Sequence, residues 1–497
     1  MSPAAWALPL AVVAFFAVRF AIVALYGPPA DGDLAWQTWL GNQILESARL
    51  PAALGHETFT AAGSAWLPQE WAFSIAAALA GRFALGWLLG LATAACATAA
   101  LAVVAVRAAH ARASALATAL VLLPAGVALA ASFGVRAQVV AWLLLILFVY
   151  ALERGAGWLV CGAIVVVWAN LHASAVSAPL LATVWALGVA WRERRASAIV
   201  KRSALTAVAA MIAVGLNPFG FGLVGYAAAL MRSPIKDFIR EWQPPAFGDA
   251  AFVFGALPLL IGVALWALLE GRRSPERLLV LAVATVLLCT AARNAPVFAL
   301  LAAPYAARGL GLVLERSGVA PDRVRSFPAL GAAAALLVLT LVGGIGLLRY
   351  PAPPHRAVEL IALLERQPGE HRLLCQDYAW CGAAVGAPGI RVFLDGRADP
   401  YPVETWRAAF RIARREPGWE QTLRAYAVDA VIADGNTRLG AALRTSHQWR
   451  TAGSAGVYRL LLRRDAAEAQ LRAMPWRARP AQRAHRPLMI RLASTPL

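Results

Sequence analysis

From Ala4 to Leu348 the sequence is a succession of apolar runs, most of them long enough to cross a bilayer, separated by short connections in which arginines collect. A hydrocarbon core offers no water to backbone N–H and C=O groups, so a run that enters it must close its hydrogen bonds within itself, as a helix. Composition agrees: 60% of the 497 residues are hydrophobic and 15% are charged, against about 25% charged in a soluble domain. The runs predict about eleven spanning helices, near 4–26, 85–106, 113–132, 138–153, 156–171, 174–191, 203–216, 251–270, 277–292, 296–313 and 327–348. Segment 71–84, interrupted by Arg82, reads as a half-helix or as part of a longer second span. The first run is too long for a signal-peptide core and has no small-residue cleavage site, so it is expected to stay as a helix.

Arginine placement orients the helices. Arg107 and Arg112, the cluster from Arg192 to Arg202, Arg272 to Arg277, and Arg316 to Arg325 all fall in alternate connections. The positive-inside rule then predicts a cytoplasmic N-terminus and puts segments 27–70, 217–250 and everything after 349 outside. The formal charge of +19 is almost all arginine, with lysine only at Lys201 and Lys236. That bias, with abundant alanine, fits a GC-rich bacterial genome, so the charge does not argue for a nucleic-acid partner. The expected location is a bacterial inner (plasma) membrane, multi-pass, with membrane lipid as an immediate partner.

Three regions follow: a transmembrane domain over 1–349, with an acidic first external loop over 27–70; an extracytoplasmic α/β domain over 350–462; and a basic tail over 463–497. In the second region, runs 390–396 and 426–434 read as buried strands, and 403–415, 419–426 and 437–445 as helices. The tail reads as loosely ordered or lying on anionic headgroups. The fold class is therefore a polytopic α-helical membrane protein carrying a small C-terminal extracytoplasmic α/β domain.

Ionisable groups at membrane depth are costly, and each is a site candidate by default. On this topology they collect at the external face. Asp31 and Asp33 follow the first span, and Glu70 closes the same loop; Arg136 opens the fourth span. Asn170 and His172 close the fifth, Asn217 ends the seventh, Glu241 and Trp242 lie in the next loop, and Arg293 joins the ninth to the tenth. Asp31 and Asp33, with Glu70, can serve as a general base and its partner, or hold a divalent cation such as Mg or Mn; either Asp can equally cap a helix. Arg136 and Arg293 can neutralise a phosphate leaving group, with His172 as acid, base or phosphate donor. Trp36 and Trp66 can stack on sugar rings or belong to an interfacial belt. In the C-terminal region Asp395 and Arg397 end a strand, where ligand contacts often gather, or form an ion pair holding that turn. Cys375 and Cys381 flank a short loop, as a disulfide in an oxidising compartment or as two buried thiols.

At these residues the chain resembles the GT-C superfamily of polytopic membrane glycosyltransferases, in particular a bacterial branch related to the protein mannosyltransferase and lipid-A-sugar transferase groups. The resemblance runs through Asp31-Gly-Asp33, Trp36, Gly41, Pro51, Trp66 and Glu70-Trp71, then WANLHAS (168–174), NPFG (217–220), EWQPP (241–245), RNAPVFALLAAP (293–304) and VFLDGRADPY (392–401). It implies a GT-C-like fold, a sugar donor on a polyprenyl phosphate, a site facing away from the cytoplasm, and an essential acid in the first external loop, matched here by Asp31 and Asp33. Gln37 and Gln69 stand where the family pattern has histidine, so any metal-binding or proton-shuttling role of those histidines is missing. The expected activity is transfer of a sugar to an extracytoplasmic glycan, lipid or protein acceptor. The alternative is a non-catalytic membrane protein of the same fold that binds or scaffolds envelope glycan or lipid assembly.

Overall fold

The computed structural model describes residues 6–26, 32–318, 338 and 353–464. In chain order its helices before residue 319 are α1 (Ala7–Tyr26), α2 (Gly32–Ser47), α3 (Trp71–Arg82), α4 (Gly86–His110), α5 (Ala115–Ala130), α6 (Ala137–Glu153), α7 (Trp158–Leu171), α8 (Ser177–Glu193), α9 (Ala198–Ala213), α10 (Gly222–Arg232), α11 (Leu257–Leu269), α12 (Pro275–Thr290) and α13 (Ala295–Arg316). The chain divides into two compact units, 1–26 with 90–349 and 27–89 with 350–497. The loop after α1, expected from the sequence to be external, is thus grouped with the C-terminal domain, a pairing that a boundary drawn at residue 349 does not carry.

The first unit is helical. Ten of the expected apolar runs appear as helices within a few residues of their predicted limits, and the eleventh, 327–348, lies outside the described residues but for Val338. Length and hydropathy suffice for crossing a membrane in five described segments: Ala7–Tyr26, Gly86–His110, Ala173–Glu193, Ala251–Leu269 and Ala292–Arg316. The helices Ala115–Ala130, Ala137–Glu153 and Trp158–Leu171 are apolar but shorter. Helix α13 is the most enclosed, with Ala299, Ala302, Ala303 and Ala306 all buried. It packs against α11, α5 and α12. Small side chains let helix backbones approach closely where burial of apolar surface from water is not the driving force. Segment 217–250, read from sequence as a loop, contains α10, and the run at 251–256 is a π-helical turn leading into α11.

The second unit combines α2 and α3, packed on each other, with a five-stranded sheet: β1 (His371–Cys375), β2 (Ile390–Val392), β3 (Ala430–Asp434), β4 (Trp449–Ala455) and β5 (Tyr458–Arg463). The order is β2-β1-β3-β5-β4, parallel across β2, β1 and β3 and antiparallel from β3 onward. Ala430, Val431, Ile432 and Ala433 of β3 are all buried, as a strand covered on both faces requires. Segment 71–84 is therefore a separate short helix. Helices Val403–Arg414, Trp419–Ala425 and Arg438–Thr445 match the sequence reading. Strands β1, β4 and β5 and helix Pro353–Leu364 were not foreseen, and β5 ends at Arg463, the first residue of the expected tail. Residues 465–497 lie outside the described residues. Cys375 and Cys381 form a disulfide, with Cα atoms 5.7 Å apart.

Candidate functional site

Two groups of polar residues were singled out by sequence, and each unit holds one of them. In the first unit, α7 ends at Leu171 and His172 takes extended backbone before a 3₁₀ turn at Ala173–Val176. Ser174 fixes the ring: its backbone N–H donates to His172 Nδ1 at 3.0 Å, and its Oγ lies 2.8 Å from the same nitrogen. Trp168 Nε1 donates to that Oγ at 3.0 Å, tying the turn to the helix before it. Since Nδ1 accepts a backbone N–H, the neutral ring carries its proton on Nε2. Desolvation, with the Arg293 charge added, pushes the His172 pKa down to about 3, so the imidazole is neutral at physiological pH.

Arg293 comes from the 3₁₀ turn Ala292–Asn294, between α12 and α13. Its guanidinium lies over the Trp242 ring, 5.1 Å from the centroid, a cation–π contact. Nη1 lies 3.8 Å from Glu241 Oε1, and Nη2 lies 3.5 Å from Gln138 Oε1. Both separations are at or beyond the outer limit of a hydrogen bond. Trp242 Nε1 donates to Glu241 Oε1 at 3.2 Å, and the backbone of Ala292 donates to Gln243 O at 2.8 Å, locking turn 240–242 to turn 292–294. Four segments far apart in sequence thus present Gln138, His172, Glu241, Trp242 and Arg293 together. Arg136 stands at the N-cap of α6, two residues before Gln138.

Asn170 and Asn217 bond to backbone carbonyls. Asn170 Nδ2 donates to Val166 O and Leu216 O, at 2.8 and 2.9 Å. Asn217 Nδ2 donates to Val214 O and Gly220 O, while its Oδ1 accepts from Phe219 N. Both amides thus tie down backbone near the ends of α7 and α9. These bonds hold the two helix ends in place.

In the second unit Asp33 occupies the first turn of α2 and Glu70 is the N-cap residue of α3; Asp31 lies outside the described residues. Asp33 Oδ1 accepts from Trp36 Nε1 at 3.0 Å. The same oxygen lies against the backbone of Gly396, where a Cβ would fall 2.3 Å from it, so this residue must be glycine for the acid to approach. Gln37 is buried, and its Nε2 donates to Glu70 Oε2 in a short contact. A neutral amide therefore holds Glu70 where the family pattern would have a titratable ring.

Arg397 organises the rest of this unit. It binds Asp395 bidentately, Nε to Oδ1 at 2.9 Å and Nη2 to Oδ2 at 2.6 Å, and donates through Nη1 to Glu57 at 2.7 Å. Tyr401 OH donates to Asp395 Oδ2 at 2.6 Å. The guanidinium also lies over the rings of Trp39 and Trp66, 5.5 and 5.1 Å from their centroids. Desolvation acts to lower the Arg397 pKa, but Asp395 above all holds it higher than that of a free arginine. Burial, then the Asp395 charge, lifts the Tyr401 phenol well above its usual range. Asp395 and Arg397 have 0% side-chain exposure, so the ion pair holds a turn and the substrate-contact reading is set aside. Trp36 and Trp66 are also buried and meet edge to face at 6.1 Å, which leaves their faces on protein and not on a sugar.

Beside this network the acidic loop adds to the sheet. Thr58 bridges Val392 in parallel, Val392 N donates to Glu57 O at 2.8 Å, and Thr58 Oγ1 donates to Val392 O at 2.9 Å. The loop therefore covers the outer edge of β2, which would otherwise expose unpaired backbone groups. Sequence reading missed Ser174, Tyr401 and the pairing of Glu57 with Arg397. Ser174 was signalled only by its place two residues after His172, and nothing local marks a partner 340 positions away. Among the described residues no group of three or more His, Cys, Asp and Glu side chains is placed to hold a metal ion.

No family model matches the chain, and no curated protein matches it in sequence. Its fold is similar to that of the archaeal oligosaccharyltransferase AglB from Archaeoglobus fulgidus, solved in complex with an inhibitory peptide and a dolichol-phosphate. That match has a TM-score of 0.58 at 13% identity and covers 91% of this chain and 74% of the other. Two further structures of the A. fulgidus oligosaccharyltransferase, one apo and one with zinc and sulfate, align at TM-score 0.49 and 14% identity. They cover 86% and 85% of this chain and 69% and 68% of theirs. The likeness is one of fold: this chain has a GT-C-like membrane fold.

Proposed function

From that GT-C-like fold as premise, we propose that the protein is a membrane glycosyltransferase that takes a sugar from a polyprenyl-phosphate donor and passes it to an extracytoplasmic acceptor. The observation that carries the reading is the grouping of His172, Arg293, Glu241, Trp242 and Gln138 at one end of the helical unit. Arg293 has 27% side-chain exposure and only marginal hydrogen bonds to its neighbours, so its fork can turn to a phosphate oxygen. A neutral His172 donates from Nε2 to the same anion without adding a second full charge. Together they would stabilise negative charge building on the departing lipid phosphate, an electrostatic role in the transition state.

Proton removal from the acceptor hydroxyl is assigned to Asp31 or Asp33. Asp33 keeps the orientation a base requires through the Trp36 hydrogen bond. As the anomeric carbon–oxygen bond to the lipid phosphate breaks, the acceptor oxygen forms the new bond and its proton passes to the carboxylate. The dolichol-phosphate and the inhibitory peptide bound to the archaeal structure support a lipid phosphate as the donor class and a peptide or glycan as the acceptor class. The disulfide supports an oxidising compartment for the C-terminal domain, and hence the orientation read from the arginines.

One observation favours the non-catalytic alternative: Glu70 is held by an amide, and Asp33 already accepts a hydrogen bond from Trp36. The two readings separate in a deletion strain complemented with Asp31→Asn, Asp33→Asn or Arg293→Gln. Catalysis predicts loss of an envelope glycan at normal membrane levels of each variant. Wild-type glycan profiles in all three would leave only the scaffold.

A further inference from the structure

At the other end of the helical unit a cavity of about 190 Å³ opens between the C-terminal ends of α6 and α8 and the N-terminal ends of α9 and α12. It is reached from His172 by descending the 14 residues of α7, about 20 Å at 1.5 Å per residue. It is the end that the arginine pattern assigns to the cytoplasm. Arg154, Arg192, Arg202 and Arg277 line it, with Glu153 and Glu276.

Both carboxylates already have a cation of their own. Glu153 is bound by the fully buried Arg107 behind the wall, at 2.8 and 2.6 Å, and accepts from Tyr305 OH. Glu276 Oε1 pairs with Arg192, which also lies 3.5 Å from Glu193. Arg154, Arg202 and Arg277 make no ion pair with a carboxylate among the described residues, and the Arg277 guanidinium rests over the Tyr305 ring, 5.7 Å from its centroid, so the lining holds four arginines against two carboxylates. Two further atoms point to an occupant. Glu276 is 2% exposed, yet its Oε2 has no hydrogen-bond partner among the described residues, and neither does the buried Nε of Arg277. The Arg202 guanidinium passes so close to Gly155, at φ +62°, that a Cβ there would fall 2.1 Å from Nη2; the backbone is shaped to let this arginine in.

We propose that this cavity binds the headgroup of an anionic phospholipid, taking the phosphodiester between Arg154, Arg202 and Arg277 and a headgroup hydroxyl on Glu276 Oε2. The chemistry selects this class. Three cations call for an anion, and a buried lone acceptor calls for a donor on the same ligand. The volume is below the roughly 300–1,000 Å³ of pockets for drug-sized ligands, which suits a headgroup and not a nucleotide. Basic pockets between membrane helices on the cytoplasmic side are where anionic headgroups bind.

The test is native mass spectrometry of the delipidated full-length protein, titrated with phosphatidylglycerol, phosphatidylcholine or inorganic phosphate. Phosphatidylglycerol, which is anionic and carries hydroxyl donors, is expected to be retained over phosphatidylcholine, which has neither property. Replacing Arg154 and Arg202, both exposed at the mouth, by glutamine should weaken retention roughly 20- to 30-fold, from about a factor of five per arginine. Arg272→Gln with Arg273→Gln removes the same charge from exposed positions outside the cavity and should leave retention unchanged. Equal loss in that control, equal retention of phosphatidylcholine, or displacement of the lipid by millimolar inorganic phosphate would each overturn the proposal.

Discussion

Removing Arg397 should release the acidic loop from the C-terminal sheet. Its side chain is fully buried against Asp395, at 0% exposure, and Glu57, at 7%. Arg397→Ala would leave two carboxylates in that environment with no cation between them. Breaking a buried pair in this one-sided way costs about 3–5 kcal/mol, and here one arginine serves two acids. The neighbouring backbone bonds, Val392 N to Glu57 O and Phe59 N to Val392 O, report the loss locally, because hydrogen exchange measures the free energy of opening. At about 1.4 kcal/mol per factor of ten, exchange at Phe59 and Val392 should accelerate by roughly two to three and a half orders of magnitude. The assay is exchange mass spectrometry on the full chain in detergent. Arg391→Gln is the control, since its pair with Glu370 is exposed and worth at most about 1 kcal/mol. Acceleration below tenfold in Arg397→Ala, or equal acceleration in the control, would refute the view that this network holds the loop.

Glu57→Gln keeps a hydrogen-bond acceptor but removes one charge from Arg397, so it should accelerate the same amides by a smaller factor, about ten- to a hundredfold; an effect as large as that of Arg397→Ala would contradict this ordering. Cys375→Ser with Cys381→Ser should destabilise the C-terminal domain by about 2 kcal/mol, as expected for so short a loop, read as a lower melting temperature that reductant does not lower further. Acid should destabilise the helical unit through His172. The folded ring resists protonation to about pH 3 while an unfolded histidine takes its proton near 6.5, so stability is intact above about pH 6.5 and falls as pH drops from there toward 3. Arg293→Gln removes one cause of the low value and should make that acid loss shallower in thermal scans at pH 7, 5 and 4; superimposable profiles would count against the Arg293 contribution.

The sequence was most legible where one physical signal dominates. Apolar length and arginine spacing located ten described helices, because lipid leaves no other backbone solution for such runs. The polar residues flanking those helices were also visible, and His172 and Arg293 do come together with Glu241 and Trp242. What was not legible depended on partners remote in sequence. The carboxylate of Glu57 looked like one more acid in an acidic loop, and only Arg397 makes it structural. The run Tyr458-Arg-Leu-Leu-Leu-Arg463 does not alternate and carries no strand signal of its own; its register against β3, Ala430 opposite Leu462, makes it a strand.

The central claim is tested most directly by mass spectrometry of lipid-linked and envelope glycans from a strain lacking this protein, restored with the wild type or with Asp33→Asn. The deletion and the Asp33→Asn strain are both expected to lose one envelope sugar and accumulate its polyprenyl-phosphate form, while the wild type restores the product. Identical glycan and lipid-linked profiles in all strains, with the protein present in the membrane at normal levels, would contradict it.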